Sequence, residues 1–118
     1  MFFKIRFSVF VLAIAIPGAV LAETVCVKYG PCPLDLSAFE CTDTPRSSFI
    51  RRVCYDAPKR FMAIKLKNTW YPYCEIDADT AQGLLSADSA GQFYNANIRS
   101  KGKVRGPFDC RDHPMPKY

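Results

Sequence analysis

The sequence predicts an α+β domain: a small three-stranded antiparallel sheet with two helices on one face, plus disulfide-tethered N-terminal and C-terminal extensions. Three observations lead there. Between Phe49 and Cys74, short segments rich in β-branched and aromatic residues alternate with turn signals. From Asp77 to Ile98, apolar residues recur at helical spacing behind residues suited to capping. Six cysteines, Cys26, Cys32, Cys41, Cys54, Cys74 and Cys110, lie within and on both sides of that block, all downstream of a leader-like N-terminus.

Residues 1–22 read as a signal peptide. Lys4 and Arg6 precede the apolar run Phe7 to Ile16, Pro17-Gly18 breaks it, and Val20-Leu21-Ala22 offers small residues at a cut. The apolar run is shorter than the roughly 20 residues that span a bilayer, so no transmembrane segment is expected after cleavage. Cleavage leaves 96 of 118 residues. A chain of that size buries only about 60–65% of its unfolded surface, which makes a core alone marginal. Disulfides, each contributing about 2–4 kcal/mol, offset the deficit, and they persist in an oxidising compartment. The expected location is periplasmic or secreted.

Residues 23–45 form a Cys-containing N-terminal extension. Cys26 and Cys32 bracket a loop whose Gly30-Pro31 pair signals a turn; a local bridge is possible there without being compelled. Leu34, Leu36 and Phe39 suggest a strap laid on the main body, stapled by Cys41. The first strand runs from Phe49 to Tyr55 and stops at the turn Asp56-Ala57-Pro58. The second, Phe61 to Lys67, alternates, with Met62, Ile64 and Leu66 on one face and Ala63, Lys65 and Lys67 on the other. Asn68-Thr69 reads as its hairpin loop. The third, Trp70 to Cys74, carries Tyr71 and Tyr73 on one face, and Pro72 marks it as an edge or a terminus.

Asp77 then caps a helix, with Asp79 in its positively polarised first turn and Ala78, Ala81, Leu84 and Leu85 as its apolar stripe. A second helix starts between Ser86 and Ser89 and runs to about Ile98, with Phe93, Tyr94 and Ile98 toward the sheet. Lys101-Gly102 ends it. Residues 104–118 form a basic tail kept extended by Pro107, Pro114 and Pro116 and tethered at Cys110.

The net charge is +5, falling to +3 once Lys4 and Arg6 leave with the leader. Glu75, Asp77, Asp79 and Asp88 form an acidic stretch, while Arg99, Lys101, Lys103, Arg105, Arg111 and Lys117 make the C-terminal end basic. Such runs are solvated surfaces or, in the sharper reading, a docking patch for an anionic partner. Catalysis is poorly provided for. There is no C-x-x-C pair, the one histidine (His113) sits between prolines in the tail, and no glycine-rich phosphate loop occurs. No metal, cofactor or catalytic residue is expected.

The segments Ser47-Ser48-Phe49-Ile50-Arg51-Arg52-Val53-Cys54-Tyr55-Asp56, Tyr71-Pro72-Tyr73 and Ser86 to Arg99 together resemble the KTSC domain over residues 46–103. That domain occurs at the C-terminus of some lysyl-tRNA synthetases and as a single-domain bacterial protein. The resemblance implies a small α/β fold and, through the synthetase association, RNA binding. Two departures are informative. Cys54 falls where the family often has glycine, and Cys74 follows the tyrosine pair directly. Both should point away from the face carrying Val53, Tyr55, Met62, Ile64, Leu66, Tyr71 and Tyr73, toward the strap and tail. The expectation is a Cys26–Cys32 bridge and two more among Cys41, Cys54, Cys74 and Cys110, their pairing open.

Three groups are candidate binding residues. Tyr71 and Tyr73 are either core aromatics or a stacking platform for bases. Arg52, Phe61, Lys65 and Trp70 combine cations and aromatics on the opposite face, unless the strap and tail cover it. Asn95, Asn97 and Arg99 either satisfy local backbone groups or line a groove. The expected function is a non-catalytic binding module for a protein or cell-envelope partner. Nucleic acid is the alternative, which the compartment opposes.

Overall fold

The sheet has four strands rather than three, and a second, two-stranded sheet lies in the N-terminal extension. The computed structural model describes residues 23–118; the leader expected over residues 1–22 lies outside the described residues. Strands β1 (Thr24–Val25) and β2 (Leu34–Asp35) pair antiparallel around the Cys26–Cys32 bridge. Then β3 (Glu40–Asp43), β4 (Ile50–Asp56), β5 (Phe61–Leu66) and β6 (Thr69–Tyr73) form one antiparallel meander in that order. The extra strand β3 pairs Glu40 to Asp43 with Tyr55 to Arg52 and places Cys41 directly opposite Cys54, to which it is bridged. Glu40-Cys41-Thr42-Asp43 has no apolar alternation, so its strand identity comes from its neighbour and the cross-strand sulfurs rather than from local pattern.

The β5–β6 turn also lies one residue earlier than expected. Leu66 pairs with Thr69, so Lys67-Asn68 is the loop, and Lys67 takes the left-handed φ of 53°. Asn68 had suggested the turn, but the apolar register of β5 against β6 decides where it falls.

Helix α1 (Ala78–Ser86) starts at Asp77, whose carboxylate accepts from the Thr80 N–H (3.1 Å) and hydroxyl (2.7 Å). Those bonds hold its carboxyl below the usual carboxylate range. Helix α2 (Ala90–Asn97) starts at Ser89, whose Oγ accepts from the Gln92 N–H at 3.2 Å. Ser89→Ala is expected to cost about 1 kcal/mol in chemical denaturation, the usual worth of such a cap. The apolar stripe of α1 is narrower than its sequence suggests: Ala81 and Leu84 are buried, Ala78 and Leu85 exposed. Gly83 faces Phe93, and a Cβ there would lie 2.7 Å from the ring, so close approach of the two helices requires glycine.

Both faces of the sheet are buried. On the helical face Ile50, Val53, Met62, Ile64 and Tyr73 pack with Ile76, Ala81, Leu84, Tyr94 and Ile98. On the other, Cys54, Phe61, Ala63, Trp70 and Cys74 lie under Val27, Leu34, Leu36 and Phe39 of the extension. The tail completes this second core. Cys110 is bridged to Cys74, the Cys74 N–H donates to the Phe108 carbonyl (2.8 Å), and Tyr118 stacks on Phe39 and Phe61. The Tyr118 hydroxyl donates to buried Asp56 (2.9 Å), and the Lys59 ammonium sits 4.0 Å from its ring centroid. Among the described residues no helix is long and apolar enough to cross a membrane.

Candidate functional site

The expected cationic and aromatic platform exists as a row but not as a surface. Arg52, Lys65 and Trp70 are register neighbours across β4, β5 and β6. Phe61 is fully buried beneath the Phe39 and Tyr118 rings. Trp70 is buried behind Val27, with its carbonyl accepting from the Lys28 N–H (2.9 Å). Arg52 pairs with Glu23 and, at 3.5 Å, with Asp43. Lys65 is half-buried. Strap and tail occupy the face because its apolar area is worth more buried than wet.

The tyrosine pair divides between core and surface. Tyr73 is buried, its hydroxyl 2.7 Å from that of Tyr94 and the rings edge-on at 5.9 Å. Burial, then the neighbouring Tyr94, pushes Tyr73 far above the ordinary phenol range. The two hydroxyls therefore form a neutral pair at physiological pH. Tyr94→Phe strands the Tyr73 hydroxyl and is expected to destabilise by about 1–3 kcal/mol; a urea midpoint equal to the parent's would contradict that role for the pair.

Tyr71 is half-buried and opens into a cleft of about 690 Å³ along the outer side of β6. Tyr73 and Tyr94 also line it. Tyr29, held at φ 62° within the Cys26–Cys32 loop, and Arg99 of the α2 exit line it too, as do Arg111 and Met115 of the tail. Asp109 fixes one wall. Its carboxylate accepts from the Ser100 hydroxyl (2.9 Å), the Arg111 N–H (3.0 Å) and the Arg111 guanidinium (2.7 and 3.0 Å). The Arg111 guanidinium above all holds Asp109 well below the usual carboxylate range. Arg111 is thus positioned, while Arg99 reaches only Asn95, at 3.4 Å.

Asn95 and Asn97 of α2 and Arg99 just beyond it do not converge. Asn97 donates to the Phe93 carbonyl (3.1 Å), Arg99 enters the aromatic cleft, and Asn95 lines a separate groove between residues 42–49 and the α1–α2 junction. That groove is rich in hydroxyls, yet several of them are spent locally. Thr44 donates to the Ile50 carbonyl (2.7 Å), Ser47 accepts from the Ile50 N–H (3.0 Å) and Ser86 donates to the Gln82 carbonyl (2.7 Å). The aromatic cleft is the better candidate site.

Sequence reasoning named Tyr71, Tyr73 and Arg99 and missed Tyr29, Asp109 and Arg111. The missing signal was the bridge pairing: because Cys74 follows the tyrosine pair, a bond to Cys110 necessarily sets Asp109 and Arg111 beside it. All six cysteines are bridged. Among the described residues no three His, Cys, Asp or Glu side chains gather as a metal site. The His113 Nε2 lies 2.8 Å from the Pro107 carbonyl and its Nδ1 3.9 Å from Glu75.

No curated protein matches the chain. The crystal structure of a KTSC domain protein from Yersinia pestis is similar, with a TM-score of 0.50 at 28% identity, over 54% of this chain and 90% of that one. The family model of the KTSC domain matches residues 46–101, which run from just before β4 through α2. The chain therefore carries a KTSC domain over that span.

Proposed function

We propose that this chain is an exported, disulfide-stabilised KTSC binding module that works without catalysis and engages a protein or cell-envelope partner through the aromatic cleft. One observation carries the reading. Tyr29, Asp109, Arg111 and Met115 belong to the extension and the tail, outside residues 46–101, and two disulfides hold those segments in place. The cleft is a feature of the oxidised protein. Such bridges persist in the periplasm or outside the cell, where the leader read in residues 1–22 would deliver the chain. The cleft's chemistry suits recognition, with aromatic surface for contact area and guanidinium groups for orientation.

The test is retention of the oxidised mature protein on a washed cell-envelope fraction. Tyr71→Ala combined with Arg111→Ala is expected to reduce retention at least tenfold, about 1.4 kcal/mol. Equal retention of variant and parent would remove the cleft from the function.

A second reading, binding of single-stranded RNA, is favoured by the meeting of Tyr71 with Arg99 and Arg111. It predicts a gel shift that weakens steeply as salt rises from about 50 to 200 mM. Absence of a shift at the lower salt excludes it.

A further inference from the structure

The two most exposed large hydrophobic side chains of the described residues are Tyr29, at 79%, and Val104, at 70%. Each is set among cations. Lys28 lies 5.1 Å from the Tyr29 ring centroid, and Lys103 and Arg105 flank Val104 in the chain. Val104 sits in a small hairpin, paired with Lys101 around Gly102. That hairpin leaves directly from the cleft rim: Ser100 lines the cleft, and its Oγ accepts from the Gly106 N–H at 2.9 Å.

From Arg99 to Asp112 the chain carries five cations and two carboxylates, and both carboxylates are taken by arginines of the same segment, Asp109 by Arg111 and Asp112 by Arg105. Arg99, Lys101 and Lys103 make no ion pair among the described residues. The cleft rim and the hairpin that leaves it therefore present, among the described residues, unpaired positive charge together with exposed apolar side chains. A nucleic acid or an acidic polymer would use the charge and leave Val104 unused. A bilayer of anionic phospholipid uses both: headgroups neutralise the cations, and tyrosine and valine enter the interfacial layer.

We infer that the partner of this module is an anionic phospholipid surface, met by the 101–104 hairpin and the Tyr29 loop. This rests on the reading of the chain as an exported binding module acting through the oxidised cleft region. The experiment is flotation of the oxidised mature protein with protein-free vesicles, either of phosphatidylcholine alone or of equal parts phosphatidylcholine and phosphatidylglycerol. Binding is expected only to the anionic vesicles. Lys101→Ala and Lys103→Ala should each weaken it about fivefold, equivalent to ~1 kcal/mol per cation near the surface. Val104→Ser and Tyr29→Asn, the latter keeping a residue that tolerates positive φ, should each weaken it severalfold.

Equal binding to both vesicle types, or loss with the lysine variants but none with Val104→Ser and Tyr29→Asn, overturns the inference; the second result marks a charge-only contact with any polyanion. If neither vesicle is bound while the envelope fraction still retains the protein through Tyr71 and Arg111, the lipid inference falls and the proposed function stands. If neither vesicle nor envelope is bound, both fall.

Discussion

Replacing Cys74 and Cys110 together with alanine should lower stability by about 3–4 kcal/mol, because that bridge closes the longest loop of the three, with a sequence separation of 36. For a domain of this size the melting temperature should fall by about 15–25 °C. Function should fail before the fold does. The bridge anchors Asp109 and Arg111 beside Tyr71, so the variant should lose envelope retention at temperatures where the helical core still holds. The Cys26–Cys32 pair closes a loop with a separation of only 6, and its removal should cost nearer 2 kcal/mol. A Cys74/Cys110 variant that melts with the parent and still binds would show that the tail is not what shapes the cleft.

The second large effect is at Phe61. Truncation to alanine empties a fully buried site beneath Phe39 and Tyr118 and should cost about 3–5 kcal/mol. The value discriminates between two pictures of the sheet. An aromatic waiting on an open face for a ligand would be replaceable within about 0.5 kcal/mol. Chemical denaturation of Phe61→Ala measures the difference, and the tail should loosen with it, since Tyr118 loses part of its seat.

What could be read from the residues was whatever is encoded locally. β-Branched and aromatic content or alternation marked β4, β5 and β6, Asp77 announced the first helix start, Ser86 to Ser89 bracketed the second, and Pro72 marked β6 as an edge or a terminus. Side-chain parity alone separated Cys54 and Cys74 from the helical face. The illegible parts depend on distant partners. Strand β3 has no pattern of its own and exists because β4 offers it hydrogen bonds and Cys54 offers it a sulfur. The cleft assembles Tyr29, Tyr71, Arg99 and Arg111 from four separate stretches of chain, and only the realised bridge pairing brings them together. The covered face was weighed as one of two outcomes; the burial of Phe61 and Trp70 decided it.

Every functional step above presumes oxidation outside the cytoplasm, and the protein as cells make it can be asked directly. Its intact mass and N-terminal residue, measured after trapping free thiols in separated cellular fractions, should show a chain beginning at Glu23, unreactive to the trap, recovered from the periplasm or the medium. A cytoplasmic chain that still begins at Met1 and takes up the trap on its cysteines would contradict the account.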